Sequence, residues 1–213
     1  KQYLPLAGLP VLMRTLLAFQ SAPVIDEIFL VVPGGDIPVV REGIVAGHGL
    51  TKVVMVIAGG EARQDSVRNA LAHVRDEHRI ILVHDGVRPF VSGELISRVV
   101  TAADQYGAVT IGVPVKDTVK EVNAAGWIVK TVPRQGLWFT QTPQAFHRPL
   151  IQAAYEKAVR EGFSGTDDAS LVERMGVPVR MLPGEDDNIK LTTPEDFLHG
   201  EMILHRFSRQ RAG

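Results

Sequence analysis

Three short segments of the sequence combine charged side chains with glycine or with predicted strand ends, in patterns that could bind a phosphorylated ligand. They are residues 59–67 (GGEARQDSV), 84–89 (HDGVRP) and 187–192 (DNIKLT). Each segment follows or ends a predicted strand, and ligands of open α/β sheets bind outside the carboxyl ends of the strands. The pattern therefore predicts a ligand site at this edge of a sheet.

The first segment begins with Gly59 and Gly60, which allow a ligand to approach the backbone closely. The predicted helix that starts near Arg63 directs its N–H groups and the positive end of its dipole toward the same place. A nucleobase or a phosphate would fit there. The alternative is a plain strand-to-helix turn, in which the glycines only supply unusual backbone angles and Asp65 or Ser66 caps the helix.

In the second segment, Asp85 stands at the carboxyl end of a core strand, and Arg88 follows three residues later. This layout suits a ribose or a metal ion on Asp85 and an anion on Arg88. The alternative is an Asp–Arg ion pair that only pins the loop. His84 ends an apolar strand and has no second histidine at ligand spacing, which is typical of a core histidine.

The third segment places Lys190 between a strand-like run and a capped helix, after the polar pair Asp187 and Asn188. A phosphate-binding lysine fits this position, and a solvated lysine is the alternative. Asp167 and Asp168 lie at the start of another predicted helix. We interpret them as capping and first-turn acids rather than as metal ligands.

The composition limits the classes of function. The chain has 213 residues, with 23 Lys and Arg against 24 Asp and Glu and a formal net charge of -1, so no charge excess favours a nucleic acid or membrane partner. The absence of cysteine excludes disulfides, thiolate zinc sites and cysteine nucleophiles. No apolar run approaches the roughly 20 residues of a membrane-spanning helix, and the first residues do not form a signal peptide. We therefore expect a cytoplasmic protein.

Short β-branched apolar runs alternate with helix-length segments along most of the chain. Strands are predicted at 27–32, 52–57, 79–84, 109–115 and 181–183. Helices are predicted at 11–19, 63–74, 92–106, 150–161, 168–175 and from 194 to about 206. This alternation indicates an α/β fold with a doubly wound, mostly parallel sheet. We expect a single domain over residues 1–213.

Residues 116–137 depart from this alternation. Two runs of alternating polar and apolar residues, 118–122 and 127–132, flank a turn at 123–126 and predict a β-hairpin. A doubly wound sheet has no place for such a hairpin. We therefore predict an inserted β-arm, one face of which contacts another chain.

Motifs spread in order over nearly the whole chain resemble the 2-C-methyl-D-erythritol 4-phosphate cytidylyltransferase family. The motifs are KQYLPL (1–6), GLPVL (8–12), GG with R and DSV (59–67), HD with RP (84–89), PVKDT (114–118), R with GLW (134–138), QTPQ (141–144), TDDAS (166–170) and DNIK (187–190). The resemblance implies a fold of nucleotidyltransferase type and a homodimer whose β-arms cross. It also implies a requirement for CTP and for a divalent cation, usually magnesium.

The resemblance assigns roles to individual residues. The residues implied to be catalytic are Lys1, Lys190 and Arg134. The residues implied to bind CTP are Gly60, Glu61, Arg63, Ser66 and Asp85. The residues implied to bind the polyol phosphate are Arg88, Thr118, Arg134 and Thr142. Asp85 is also the candidate metal ligand, and the two β-arm residues are expected to act in the neighbouring subunit.

The function implied is transfer of a cytidylyl group from CTP to 2-C-methyl-D-erythritol 4-phosphate, in the non-mevalonate route to isoprenoid precursors. Two alternatives stay open: a cytidylyltransferase for another polyol phosphate, such as ribitol 5-phosphate, and a non-catalytic nucleotide-binding dimer module. The family's pattern begins with a strand and a glycine-rich loop that ends at the equivalents of Lys1 and Gln2. We expect both to precede Lys1.

Overall fold

The computed structural model describes residues 1–212, with side chains described through residue 209. Gly213, the end of the predicted domain, lies outside the described residues. The strands are β1 (Pro5–Leu6), β2 (Leu9–Pro10), β3 (Ile28–Val32), β4 (Val53–Ala58), β5 (Ile80–Val83), β6 (Ala108–Pro114), β7 (Val119–Val122), β8 (Ile128–Val132), β9 (Trp138–His147) and β10 (Arg180–Pro183). The α-helices are α1 (Val11–Ser21), α2 (Ile37–Val39), α3 (Arg63–Leu71), α4 (Gly93–Tyr106), α5 (Arg148–Glu161), α6 (Asp168–Glu173) and α7 (Pro194–Ala212). Irregular helical turns occupy Gly34–Asp36, Val40–Val45 and Ala46–His48.

The main sheet has four strands in the order β10, β6, β9, β5. Strand β10 is parallel to β6, whereas β9 is antiparallel to both β6 and β5. The predicted α/β fold with a mostly parallel sheet is confirmed: β5, β6 and β10 run in one direction, and the antiparallel β9 makes the sheet mixed. The reason is the β-arm: after β6 the chain returns through the hairpin directly beside β6, with Pro114 opposite Trp138, and a direct return makes an antiparallel pair.

The helix ends follow the predicted capping chemistry. Ser92 Oγ accepts a hydrogen bond from Leu95 N at 3.0 Å at the start of α4, and Gly107 follows its last residue. At the start of α7, the Asp196 carboxylate accepts hydrogen bonds from the backbone N–H groups of Thr192 and Thr193. Both starts satisfy backbone donors that a helix would otherwise leave unpaired.

Helices cover both faces of the main sheet. On one face, α1 and α4 contribute side chains such as Leu95 to a cluster with Val109 and Ala145. On the other face, α5 and α6 contribute Ile151 and others to a cluster with Phe146. The neighbours Ala145 and Phe146 therefore point to opposite faces, as successive residues of a strand do.

A cavity of about 560 Å³ separates the main sheet from a second parallel pair, β3 and β4. Strands β3 and β5 face each other across this cavity without pairing. Several of their apolar side chains that line it, Phe29 and Leu82 among them, are only partly buried. The cavity extends to Arg63 and Asp85 at the carboxyl ends of the strands.

The predicted β-arm is an antiparallel pair, β7 and β8, that forms its own two-stranded sheet. Asn123 Oδ1 accepts hydrogen bonds from Ala125 N and Trp127 N, and Gly126 adopts a φ of 82°, which favours glycine. The Trp127 side chain is 75% exposed, and Ile128 is 62% exposed. The hairpin thus presents large apolar side chains to its surroundings.

Between residues 1 and 212, no helix combines the length and the apolar character needed to cross a membrane.

Candidate active site

The Asp85 carboxylate, just beyond the end of β5, is the centre of the site. Its Oδ1 accepts a hydrogen bond from Arg63 Nε at 3.1 Å, at the first residue of α3. Its Oδ2 lies 3.0 Å from Lys190 Nζ and 3.6 Å from Arg88 Nε. The three cations predicted from separate segments therefore meet at one carboxylate. We call these four residues the Asp85 cluster.

Asp85 and Arg63 stabilise each other's charged forms. Burial alone would raise the pKa of Asp85, but Arg63 and Lys190 outweigh it and lower that pKa to about 2. Burial alone would likewise lower the pKa of Arg63, but Asp168 and Asp85 outweigh it and raise that pKa. The carboxylate and the guanidinium are both charged at neutral pH, so the contacts are true ion pairs.

The loop that carries Lys190 is fixed by hydrogen bonds to the strands. Arg88 Nη1 donates to the Asn188 carbonyl oxygen at 2.8 Å, and the buried Asn188 Nδ2 donates to the Thr142 carbonyl oxygen at 2.8 Å. Leu191 N donates to Val87 O at 2.9 Å. Lys190 itself is 42% exposed, so it contacts both Asp85 and solvent. A simple solvated lysine does not describe this arrangement.

Thr142, on β9, links the cluster to His84. Its hydroxyl accepts a hydrogen bond from Asp85 N at 3.1 Å and lies 3.1 Å from His84 Nδ1, while His84 Nε2 lies 3.1 Å from the Arg88 carbonyl oxygen. These partners assign Nε2 as the donor and Nδ1 as the acceptor. Burial lowers the pKa of His84 to about 4. As predicted, His84 is a packed histidine, and its ring lies 4.8 Å from that of Phe19.

The turn before α3 brings the predicted base-binding residues together. Ser66 Oγ accepts a hydrogen bond from Gly60 N at 3.1 Å and donates to Ala62 O at 3.1 Å. A Cβ at Gly60 would lie 2.3 Å from Asp65 Cβ, so this position requires glycine. Asp65 accepts a hydrogen bond from Ala62 N at 3.2 Å, so the capping role and the ligand role can coexist in one turn.

A model of the family described as 2-C-methyl-D-erythritol 4-phosphate cytidylyltransferase (IspD) matches residues 1–206. The chain belongs to this family. A relative of that name from Syntrophus aciditrophicus (strain SB) is 52% identical over 206 residues, which are 97% of this chain and 88% of the relative.

Solved structures agree with the family assignment. 4-Diphosphocytidyl-2C-methyl-D-erythritolsynthase from Anaerococcus prevotii DSM 20548 superposes with a TM-score of 0.86 at 33% identity, covering 94% of this chain and 88% of that one. The 2-C-methyl-D-erythritol 4-phosphate cytidylyltransferase from Thermus thermophilus gives 0.83 at 35% identity, covering 96% and 94%. The predicted nucleotidyltransferase fold and enzyme class are confirmed.

Four residues with predicted roles lie outside both the Asp85 cluster with its hydrogen bonds and the hydrogen-bonded turn of Gly60 and Ser66. Arg134 and Thr118 are exposed at the base of the β-arm, and Arg134 Nη1 donates to the Lys116 carbonyl oxygen. Glu61 is exposed beside the α3 turn. Lys1 is exposed, and its carbonyl oxygen accepts a hydrogen bond from Leu4 N. The ligand-binding and catalytic roles of these four residues, like those of the other candidate site residues, stay predictions.

Sequence reasoning missed the environment of Asp168. Asp167 is the N-cap of α6, because its carboxylate accepts a hydrogen bond from Ser170 N at 2.9 Å. Asp168 is the first residue of that helix, as predicted, but it is fully buried and forms an ion pair with Arg63 at 2.8 Å. The available signal was the doubled acid, since one N-cap carboxylate suffices for one helix start.

Proposed function

We propose that the protein transfers a cytidylyl group from CTP to 2-C-methyl-D-erythritol 4-phosphate and releases pyrophosphate. The observation that carries this proposal is the Asp85 cluster, which gathers three cations at the carboxyl ends of strands in a chain of this family. A triphosphate requires several positive groups held in fixed positions. The product would serve isoprenoid precursor synthesis by the non-mevalonate route.

The reaction needs no covalent intermediate on the protein. A phosphate oxygen of the polyol phosphate attacks the α-phosphorus of CTP, and the bond to the pyrophosphate leaving group breaks in line with the attack. Positioning and stabilisation of the developing negative charge supply the acceleration. Lys190 and Lys1 would stabilise this charge at the α-phosphate. Asp85 would orient the ribose and hold Lys190, whose Nζ is 3.0 Å away.

The turn at Gly60 would read the cytosine. Gly60 packs directly against Asp65, and its amide nitrogen lies 3.1 Å from the Ser66 hydroxyl, so the turn offers a base a backbone held in a fixed position. Short backbone and hydroxyl contacts suit a small pyrimidine edge and exclude the larger purines. Glu61 is exposed at the mouth of this turn.

Magnesium would bind at Asp85. No group of three or more histidine or carboxylate side chains that could hold a metal ion occurs within the part of the chain that the structure describes. Mg²⁺ is commonly held by one or two carboxylates together with substrate phosphates and water. Both Asp85 oxygens already contact cations of the cluster, so an ion that arrives with the triphosphate would displace one of these contacts. When bound, the ion would neutralise phosphate charge.

The β-arm would form a homodimer and complete the acceptor site of the neighbouring subunit. Its strands lie apart from the main sheet, and Trp127, Ile128 and Val129 are exposed. Burying such side chains against a second chain is favourable. Arg134 and Thr118, at the base of the same arm, offer donors that suit a phosphate monoester.

A β-strand from a segment preceding Lys1 would fill the cavity between β3 and β5. The half-buried apolar side chains that line it from both strands support this proposal. An inserted strand would pair with both neighbours, and if parallel to β3 it would end beside Arg63 and Asp85. A glycine-rich loop there could contact the triphosphate. Rapid amide hydrogen exchange along the facing edges of β3 and β5 in the full-length protein would contradict the proposal.

The direct test is pyrophosphate release by the full-length protein with Mg²⁺ and defined substrates. We expect turnover with CTP and 2-C-methyl-D-erythritol 4-phosphate, and little with ATP or GTP. Preferred turnover with ribitol 5-phosphate would show that this compound is the acceptor substrate. Binding of CTP without turnover of either acceptor would indicate a non-catalytic nucleotide-binding module. A cytoplasmic location remains a prediction, which cell fractionation would check.

A further inference from the structure

The buried carboxylate of Asp168 lies behind the Asp85 cluster. Its side chain is 0% exposed. Its Oδ1 accepts a hydrogen bond from the Tyr155 hydroxyl at 2.5 Å, and its Oδ2 pairs with Arg63 Nη2 at 2.8 Å. A buried charge costs several kcal/mol unless it is paired and hydrogen-bonded. Asp168 meets both conditions, and its charged partner is a residue of the cluster.

Two glutamines hold Asp168 in place relative to Arg63. The buried Gln144 on β9 donates to Asp167 Oδ2 at 2.7 Å and accepts from Ala169 N at 3.0 Å. Gln64, next to Arg63 on α3, accepts from Gly165 N at 2.9 Å and donates to the carbonyl oxygen of Phe163 at 3.0 Å. The start of α6 is thus fixed to both the sheet and α3. Such double anchoring limits the positions that Asp168 can adopt.

Arg63 bridges two carboxylates with two different nitrogens. Its Nε contacts Asp85 Oδ1 at 3.1 Å, and its Nη2 contacts Asp168 Oδ2 at 2.8 Å. Because the guanidinium is planar and rigid, fixing Nη2 also fixes the direction of Nε. Asp85 is then held through Oδ1, and its Oδ2 stays directed at Lys190.

We propose, on the basis of the proposed function, that Asp168 is a positioning residue for cytidylyl transfer, which sets the orientation of Arg63 and, through Asp85, the position of Lys190. Tyr155 supports it by holding the second carboxylate oxygen. Burial and the nearby Asp168 carboxylate raise the pKa of Tyr155, so its hydroxyl remains a donor throughout the neutral range. The competing explanation is an acid that serves only the start of α6, where Asp167 already caps the helix.

The first test is kinetic and compares two Asp→Asn variants. Asp168→Asn keeps the side-chain shape but removes the charge that holds Arg63, so we expect kcat to fall about tenfold to hundredfold, as for small misplacements of reacting groups. The KM for CTP should change much less. Asp104→Asn breaks an exposed Arg–Asp pair and should keep wild-type kcat. Tyr155→Phe, which retains the packed ring, should lower kcat in the same direction by a smaller factor.

A double-mutant cycle tests whether Asp168 acts through Arg63. If it does, Asp168→Asn should lower kcat much less in an Arg63→Lys background than in the wild type, because lysine has a single nitrogen and cannot bridge Asp85 and Asp168 as a planar guanidinium does. Fully additive effects, or wild-type kcat in Asp168→Asn, would overturn the proposal. If Asp168→Asn does not fold, Tyr155→Phe takes its place in the cycle, and its effect on kcat should likewise be smaller in the Arg63→Lys background.

A readout without turnover separates this inference from the proposed function. In ¹H–¹⁵N spectra, the Arg63 Nε–H signal should be sharp in the wild type and broadened or lost in Asp168→Asn, with Arg63→Lys providing its assignment. An inactive wild type with this spectral change would refute the proposed function while retaining the ordering of Arg63 by Asp168. An unchanged Arg63 signal would refute the positioning role, whatever the activity.

Discussion

The Asp85 cluster and the β-arm hold their functional candidates in opposite ways. In the cluster, Arg63 and Lys190 each form an ion pair with a carboxylate of the same chain. In the β-arm, Arg134 donates a hydrogen bond to the Lys116 carbonyl oxygen at the arm's own base, and the side chain of Thr118 is exposed. The β-arm also exposes large apolar side chains, such as Trp127 and Ile128.

The difference indicates two routes to an ordered site. Ion pairs within one chain fix side chains before any ligand binds, which lowers the entropic cost of reaching the reactive geometry. Side chains on an exposed hairpin gain order only when a partner packs against them. Changes in the cluster should therefore impair the chain that carries them, whereas changes in the arm should impair the neighbouring subunit.

The largest effect is expected for Lys190→Ala. A lysine at the α-phosphate gains most of its interaction energy as charge develops, so kcat should fall by about 10²–10³-fold, by analogy with loss of an oxyanion donor. The KM for CTP should change far less. Lys190 is 42% exposed, so folding should be nearly unaffected. Steady-state kinetics beside Lys157→Ala, a partly exposed lysine on α5, checks this. An unchanged kcat would leave Lys190 as a structural partner of Asp85 without a catalytic role.

Mixing variants tests whether the arm acts on the neighbouring site. Arg134→Ala and Lys190→Ala dimers should each be impaired at both sites. After subunit exchange, a mixed dimer has one site with both defects and one with neither. Activity should therefore recover to about half of the wild type per mixed dimer at most, as two-fold symmetry requires.

The control for this mixing experiment uses two cluster variants. Asp85→Ala and Lys190→Ala change the same site of their own chain, so every site of their mixed dimer keeps a defect and no activity should return. Two results would contradict the claim that the cluster acts in its own chain and the arm in the neighbouring subunit. One is a return of activity in the control, and the other is no return of activity with Arg134→Ala when mixed dimers are shown to form. Arg134→Lys should also impair turnover, because lysine cannot bind two phosphate oxygens as a planar fork.

A smaller effect is expected for Trp127→Ser in the β-arm. Tryptophan is a frequent interface anchor whose truncation costs about 2 kcal/mol or more, so the dimer dissociation constant should rise at least about thirtyfold. Sedimentation velocity at several concentrations measures it. Val159→Ser, an exposed apolar residue on α5, is the matched control and should leave the dissociation constant unchanged. Equal behaviour of the two variants would mean that this face of the arm contacts no partner.

Local sequence patterns predicted the parts of this molecule that depend on local chemistry. Ser92 and Thr193 marked helix starts because capping is decided within four residues. Arg63, Asp85 and Lys190 were placed at one edge because each follows or ends a strand, and the structure joins them. Strand ends in an α/β sheet converge regardless of the distance along the sequence.

Features that depend on distant contacts were not predictable in this way. The direction of β9 follows from its pairing with β6 and β5, and nothing within 138–147 specifies it. The burial of Asp168 depends on Arg63, 105 residues away, and on Tyr155 in a different helix. The same residues could as well have formed an exposed helix start, so only the assembled packing decides between the two.

The smallest expected effect is a loss of folding stability at acidic pH. It should depend on His84, which lies beside the Asp85 cluster, and not on the β-arm. His84 has a folded-state pKa of about 4, against 6.5 for an ordinary histidine. Between these values the unfolded chain binds a proton at this position and the folded chain does not. The free energy of unfolding should therefore fall as the pH is lowered from 6.5 toward 4.

From pH 6.5 to pH 5, His84 should contribute a loss of roughly 1 to 2 kcal/mol. Urea unfolding at the two values measures it, and His84→Asn should lose that part of the pH dependence. His205→Asn, a change of an exposed histidine on α7, should retain it, and so should Trp127→Ser in the β-arm. Nδ1 of His84 accepts a hydrogen bond from the Thr142 hydroxyl, which in turn accepts one from Asp85 N. Protonation of Nδ1 would therefore break the hydrogen bond from Thr142.

If His84→Asn retains the full pH dependence of the free energy of unfolding, another residue causes the acid sensitivity. If Trp127→Ser loses that pH dependence, the two regions do not fold independently.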